Sequence, residues 1–259
     1  QDQRPSQQAA INLRLKDKAK GVWSKALRLG AGAYAPGPLW DATLQASYFG
    51  KGRQQLLRYS SDNLGRDHDP AAVLYGAFVS EPTQLVELVA HGRPPVGNGL
   101  FGYRHGVNLN NLNKLSDSTT ITYNLHYGHL FSHGHSSSQT TYILPDASRI
   151  LLVEDVADRT HTNTANLQLV YETNRQRHFL YNTLSLFGRW EEGLGTIYSQ
   201  SMSSSSQPSA STIAQALHYR SLGLSNRTRL VHRTPTGGGI EWVSTNSLSS
   251  TPQILAIGG

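Results

Sequence analysis

The stretch TTITYNLHY, residues 119–127, decides how this chain is read. Ile121, Tyr123, Leu125 and Tyr127 alternate with Thr120, Thr122, Asn124 and His126, the period of two that marks a strand with two unlike faces. The polar face carries hydroxyls, an amide and an imidazole, and neither lysine nor glutamate. A soluble sandwich turns its apolar side chains inward and tolerates many charges outside. An uncharged polar face opposite leucine and tyrosine suits the reverse arrangement, in which apolar residues face outward and the polar set lines a wet interior.

The pattern recurs along the chain. LWDATLQASYF sets Trp40, Ala42, Leu44, Ala46 and Tyr48 against Asp41, Thr43, Gln45 and Ser47. TANLQLVYE sets Ala165, Leu167, Leu169 and Tyr171 against Asn166 and Gln168. TIAQALHYRSLGL offers Ile213, Leu217 and Tyr219, with a change of phase near Arg220, and GIEWVSTNS offers Ile240 and Trp242. The rings of Trp40, Tyr48, Phe49, Tyr123, Tyr127, Phe131, Tyr171, Phe179 and Tyr181 fall mostly near strand ends, as an aromatic girdle would. Only EPTQLVELVAHG, residues 81–92, offers a short helix. Leu44, Ala46, Leu125, Tyr127, Leu167 and Leu169 are expected on the outer side of a curved sheet, with Gln45, Asn124 and Gln168 on the inner side.

Composition agrees. In 259 residues the apolar share is 37% and the charged share 15%, both low for a soluble globular domain; serine, threonine, asparagine, glutamine and glycine fill the difference. There is no cysteine, which excludes disulfides, thiol catalysis and cysteine metal sites. No apolar run is long enough for a transmembrane helix, but a barrel strand needs only about 9–11 residues. The net charge of +6 comes from scattered residues apart from Arg14, Lys16, Lys18 and Lys20, so nucleic acid is not an expected partner. The chain starts at Gln1 without a signal peptide, which reads as a mature chain or a fragment.

Connections alternate in length. GKG (50–52), KLSDS (114–118), TNRQR (173–177) and TPTGGG (234–239) are tight turns by composition. Between them lie pieces that read as long loops: 61–100, SHGHSSSQTTYILPDAS (132–148) and SQSMSSSSQPSAS (199–211). APGPL (35–39) is short where a long loop is due. Short turns on one side and long loops on the other belong to an up-and-down outer-membrane barrel. The expected fold is all-β, antiparallel, about nine strands of a barrel. Nine is odd where bacterial single-chain barrels are even, so the barrel is expected to be incomplete.

AAINLRLKDKAKG (9–21), followed by the glycine-punctuated GVWSKALRLGAGAY (21–34), resembles the junction between plug and barrel in TonB-dependent outer-membrane receptors. LWDATLQASYFGKGRQQLLRYSSDNLGRD (39–67) and GLSNRTRLVHRTPTGGG (223–239) resemble barrel hairpins of the receptors that carry an N-terminal carboxypeptidase-regulatory-like domain. The resemblance runs from Ala9 to the end of the chain, in the order of its segments. It implies that residues 1–20 are the end of a plug and its linker and that 21–259 are the first part of a barrel. It implies residence in a Gram-negative outer membrane and uptake of a nutrient or chelate, a small molecule or an oligomer. Its implied partners are outer-membrane lipid and the TonB energy-coupling complex, the latter through parts this chain does not contain. Complete members have about twenty-two strands. Two alternatives stay open: an outer-membrane adhesion or assembly protein without transport, and a soluble carbohydrate-binding β-sandwich.

Candidate chemistry is sparse. His126, His129, His133 and His135 in HYGHLFSHGH offer imidazoles for zinc or copper, but without a neighbouring carboxylate or a closed-site spacing. Glu191 and Glu192 in RWEEGLG are adjacent and so point to opposite faces of a strand, which defeats a shared acid–base site; a solvated loop is the expected setting. Asp62, Asp67 and Asp69 bring clustered oxygens but not the spacing of a calcium loop. TPTGGG lacks a P-loop lysine and helix, and no serine sits in a nucleophile elbow. No catalytic residue, cofactor or metal site is assigned, and enzymatic activity is not expected. Ligand contacts are expected from inward polar positions and from 61–100, where Arg93 and nearby Tyr103 are candidates.

Overall fold

The computed structural model describes residues 21–34, 37–65, 84, 86–90, 102–146, 148–203, 206–235 and 237–259. The stretch 9–20, Asp67, Asp69 and Arg93 lie outside the described residues. The described chain is a single antiparallel sheet of ten strands: β1 (Val22–Tyr34), β2 (Gly37–Gly50), β3 (Arg53–Asp62), β4 (Gly102–Ser116), β5 (Thr119–Ile143), β6 (Arg149–Arg175), β7 (His178–Ser203), β8 (Ser206–Arg233), β9 (Gly239–Ser250) and β10 (Gln253–Gly258). Each of β1 to β8 pairs with the next in sequence, and β9 and β10 both pair with β8. The sheet is open, with β1 at one edge and β9 and β10 at the other.

β9 and β10 are one strand interrupted by a proline. Ser250 faces Leu222 and Gln253 faces Tyr219, so the register runs on unchanged across the gap, and the Pro252 carbonyl still accepts the Arg220 N–H at 3.1 Å. Proline lacks an N–H and is found at sheet edges for that reason. The expected nine strands are thus nine lines of chain, the last broken once.

The two faces divide as the alternation requires. Asn124 is 1% exposed and its neighbour Leu125 39%. Asn108, Asn110, Asn166, Gln168, Ser185 and Gln215 are buried as well, while Leu44, Leu57, Leu186, Leu224 and Leu248 are exposed. The register aligns the apolar residues into a row perpendicular to the strands: Ala46, Leu57, Leu109, Leu125, Leu167, Leu186, Leu224 and Leu248. The corresponding row on the other face reads Ser47, Leu56, Asn110, Asn124, Gln168, Ser185, Ser225 and Ser247. A soluble sandwich core is the opposite of this, and no second sheet packs against the first among the described residues.

Relative to the leucine row, the apolar stretch slides along successive strands. It reaches up to Trp40 on β2, three rows above, and down to Leu230 and Trp242 on β8 and β9, three rows below. Tyr123 and Tyr171 lie below the row on β5 and β6, and Tyr59 and Tyr127 above it.

Two expectations are corrected. The serine-rich pieces 132–148 and 199–211 are not loops. β5 to β8 run for 25, 27, 26 and 28 residues, about 80–90 Å at ~3.3 Å per residue, and zip to Ile143–Arg149 and Ser203–Ser206. These segments lack apolar alternation because neither face needs it, yet threonine, tyrosine and isoleucine favour strands and the main-chain ladder carries on. The Asp146 carboxylate closes the β5–β6 turn by accepting from the Ser148 N–H at 3.0 Å and its hydroxyl at 2.6 Å, and those bonds hold its pKa below the usual carboxylate value. The four short turns at the opposite ends are tight, as expected; at one of them Lys114 donates to Asp117 at 2.7 Å and lowers the Asp117 pKa.

The second correction concerns the helix expected over 81–92. Its described residues, 84 and 86–90, are irregular and lie as a strap across the polar face of β7 and β8. The Gln215 side-chain oxygen accepts from Val89 N–H at 3.1 Å and Ala90 N–H at 2.9 Å, and the Gln253 oxygen accepts from Val86 N–H at 3.0 Å. Leu88 and Ala90 are fully buried beside Leu217 and Tyr219 on that face. Gly193 and Gly195 make room: a Cβ on Gly195 would sit 2.6 Å from the Ala90 Cβ, and one on Gly193 2.7 Å from Leu88. This also explains the change of phase at Arg220. Leu217 and Tyr219 pack under the strap, whereas Leu222 and Leu224 belong to the exposed face, with no register slip between them. Replacing Gly195 with valine is expected to displace Ala90 and cost about 1–3 kcal/mol by overpacking. Limited proteolysis should then cut near residues 86–90 faster than in the parent protein; unchanged cleavage would show that the strap does not depend on this notch.

Candidate functional site

The polar face is richest in chemistry where β3 to β8 cross midway. Gly106 and Gly128 face each other in register and form the floor of a depression of about 300 Å³. A Cβ on Gly128 would lie 2.9 Å from Thr164 Oγ1 and 3.3 Å from His126 Nε2, and one on Gly106 3.2 Å from Ser60 Oγ. Around this floor stand Ser60, Arg104, Asn108, His126, Thr164 and Asn166. The residues that alternate with them on the strands point to the other face, so the rim combines amides, hydroxyls, an imidazole and the Arg104 guanidinium with Leu130 and Phe187.

Cross-strand hydrogen bonds fix the rim. His126 Nδ1 pairs with Asn108 Oδ1 at 2.7 Å, which makes Nδ1 the protonated nitrogen. One row below, Asn124 donates from Nδ2 to Gln168 Oε1 at 3.1 Å in a buried contact. Two ion pairs lie on this face. Arg28 pairs with Asp41 at 3.1 Å, and Arg189 pairs with Glu191 while its guanidinium sits 5.5 Å over the Tyr219 ring. Such a surface offers hydrogen bonds in both senses.

The face also keeps polar capacity in hand. Asn110 Nδ2 and Oδ1, Asn124 Oδ1, Tyr219 Oη and Ser221 Oγ are buried without a protein partner. Buried polar groups are ordinarily satisfied, so water or whatever the face receives must supply these bonds. The arrangement can hold a hydrated, hydrogen-bonding solute; it brings together no nucleophile, base and orienting group.

The residues singled out in the sequence distribute unequally. HYGHLFSHGH splits: His126 lies on the polar face, and His129, His133 and His135 on the apolar one. Among the described residues no group of three histidines or carboxylates is placed to hold a metal ion. Glu191 and Glu192 do point to opposite faces, but within β7 rather than in a loop, and Glu191 is engaged by Arg189. Asp62 is buried at the end of β3, where it accepts from the Leu64 N–H at 2.9 Å. Tyr103 belongs to the apolar face, with its ring 5.2 Å from Phe131 and 5.8 Å from His129, so it does not line the depression. Gly106, Ser60 and Thr164 escaped notice in the sequence, because they come together only through the register of four strands.

The Asn124–Gln168 bond is expected to show a coupling of about 0.5–1.5 kcal/mol in a double-mutant cycle of N124A and Q168A, read by urea unfolding; strict additivity would mean that the bond contributes nothing. No family model matches the chain, and no curated protein matches it in sequence.

Proposed function

We propose that the chain forms part of the wall of a TonB-dependent outer-membrane receptor, of the type with an N-terminal carboxypeptidase-regulatory-like domain, which takes up a nutrient or chelate. The observation that carries this reading is the inverted sheet: a row of exposed or half-buried leucines from β3 to β9 opposite a row whose amides and hydroxyls are buried from β4 to β7. An apolar surface of that extent marks a membrane or a partner, and barrels in membranes are apolar outside and polar inside.

Two further features support it. On β5 the apolar face runs from Ile121 up to its first imidazole, His129. That is about 27 Å along the strand at ~3.4 Å per residue, or about 21 Å of height at a tilt of ~40°, close to the height of a bilayer's apolar band. The apolar stretch also shifts across the sheet, reaching Trp40 on β2 three rows above the leucine row and Leu230 and Trp242 on β8 and β9 three rows below it, as tilted strands require for a level belt. Beyond the belt, β5 to β8 continue as a polar projection on the side away from the short turns.

In this reading residues 21–259 are wall and 1–20 the end of a plug. Lipid meets the leucine face, and a small or oligomeric solute passes along the polar one, held by groups such as Asn108, His126 and Thr164. The energy-coupling complex acts through parts outside this chain.

Because the chain contains no cysteine, single cysteines report each face directly. With the protein expressed into an outer membrane from its own reading frame, T164C should react with a hydrophilic maleimide and L167C only with a lipid-soluble one. L167R should cost about 2–4 kcal/mol, as arginine does near the bilayer midplane. Equal reaction of both cysteines with the hydrophilic reagent would sink the proposal.

A further inference from the structure

Two rows above the leucine row, the apolar face changes character. His105 of β4, His129 of β5 and Asn163 of β6 share one row, continued by Trp190 and Arg220. The next row holds Tyr103, Phe131 and His161, and the one above it His133 opposite Arg159. The rings stack into a ladder: Tyr59 to His105 at 6.3 Å, His105 to His129 at 6.4 Å, His129 to His161 at 6.1 Å and Phe131 to His161 at 4.6 Å. In contrast, the leucine row and the rows on either side of it carry Lys25, on the edge strand, as their one charged side chain.

The imidazoles are oriented. His129 Nδ1 pairs with Asn163 Oδ1 at 2.9 Å, and the same oxygen accepts from the Tyr127 hydroxyl at 2.9 Å. His105 Nδ1 lies 3.0 Å from the Tyr59 hydroxyl. In each ring Nε2 is left for an outside partner. The groups facing this patch are Tyr59 from β3, Tyr103 and His105 from β4, His129 and His133 from β5, and Arg159 and His161 from β6. Glu192 of β7, opposite His161, is the carboxylate at its border.

Below the ladder lies a groove of about 570 Å³ lined by Leu125, Leu167, Leu186, Leu222 and Trp190. Ala165 and Gly188, paired in register, form its floor. The Trp190 indole lies across Gly188, where a Cβ would come within 2.6 Å of it, and so roofs the groove at its upper end.

We propose that ladder and groove together bind one phosphate-bearing lipid, with the phosphate against His129, His161 and Arg159 and an acyl chain along Ala165 and Gly188. This rests on the membrane reading above. The Arg159 guanidinium donates to phosphate oxygens, and His129, whose Nδ1–H is committed to Asn163, meets the phosphate at Nε2 through one shared proton, accepting from a P–OH or donating as the imidazolium. The apolar groove begins two residues along each strand from the imidazole row, about 7 Å away, where the chains of such a lipid start. A polar anchor at the belt's upper edge also fixes the height of the wall, as interfacial aromatic and basic residues do.

The test uses the complete protein in phosphatidylcholine vesicles, with spin-labelled phosphatidic acid and spin-labelled phosphatidylcholine as probes and bimane on L167C as a depth marker. Phosphatidic acid should associate at least about fivefold more strongly, the equivalent of about 1 kcal/mol for one basic side chain at the surface. The preference should fall away in R159Q/H161Q while bimane stays quenched by lipid nitroxides, which shows that the variant is still inserted. A165L should weaken association of long-chain but not short-chain phosphatidic acid. Equal association of the two lipids, a preference that survives R159Q/H161Q, or its loss to excess inorganic phosphate would each overturn the proposal. Unquenched bimane on the parent protein would overturn the membrane reading with it, whereas quenched bimane without lipid preference removes the lipid site alone.

Discussion

The register of the antiparallel ladder is the constraint on which everything else in this molecule depends. β5 and β6 pair without a slip from Thr119–Thr173 to Ile143–Arg149, and β6 and β7 from Arg175–His178 to Ile150–Ser203. Because side chains alternate, one residue of slippage would carry the leucines to the polar face and the amides to the apolar one. The leucine row and the amide row are each a single line through the same set of main-chain hydrogen bonds, and the glycine-floored depression and the ring ladder are each a few adjacent lines of it. None is encoded by one segment.

That explains what the sequence could and could not disclose. The faces of residues 40–48, 119–127 and 164–172 were legible, since parity within a strand is a local property and the structure keeps it. The tight turns were legible from their glycine, proline, asparagine and serine content. The serine-rich upper halves of β5 to β8 were not. Loop and strand differ there by cross-strand pairing rather than by alternation, and polar segments paired on both sides give no periodic apolar signal. The helix expected over 81–92 failed for a tertiary reason: the main-chain N–H groups of Val86, Val89 and Ala90 are taken by Gln253 and Gln215 from the far end of the chain.

The candidate sites repeat this division. His126, His129, His133 and His135 stood out as a cluster because they are close in sequence, yet they separate across the sheet. His105, His129 and His161 lie far apart in sequence and come together as neighbouring rings in space. Gly106 and Gly128 carry no chemical signal of their own, and their meaning is the room they leave between Ser60 and Thr164.

Strand β8 records within one element where the environment changes. At Leu217 and Tyr219 its apolar side chains point to the covered face under Leu88, and at Leu222, Leu224 and Leu230 they point to the exposed one. The backbone does not change register there, so the switch lies in the choice of residues alone. Arg220, Trp190 and the histidine row mark the same level on the neighbouring strands. Above that level β8 buries apolar residues under the strap, as a strand in water must. Below it the leucines remain outside, which water would penalise and a bilayer rewards. The crossover level is therefore the point at which the proposed membrane must end, and it coincides with the band of imidazole and guanidinium groups above the leucine row.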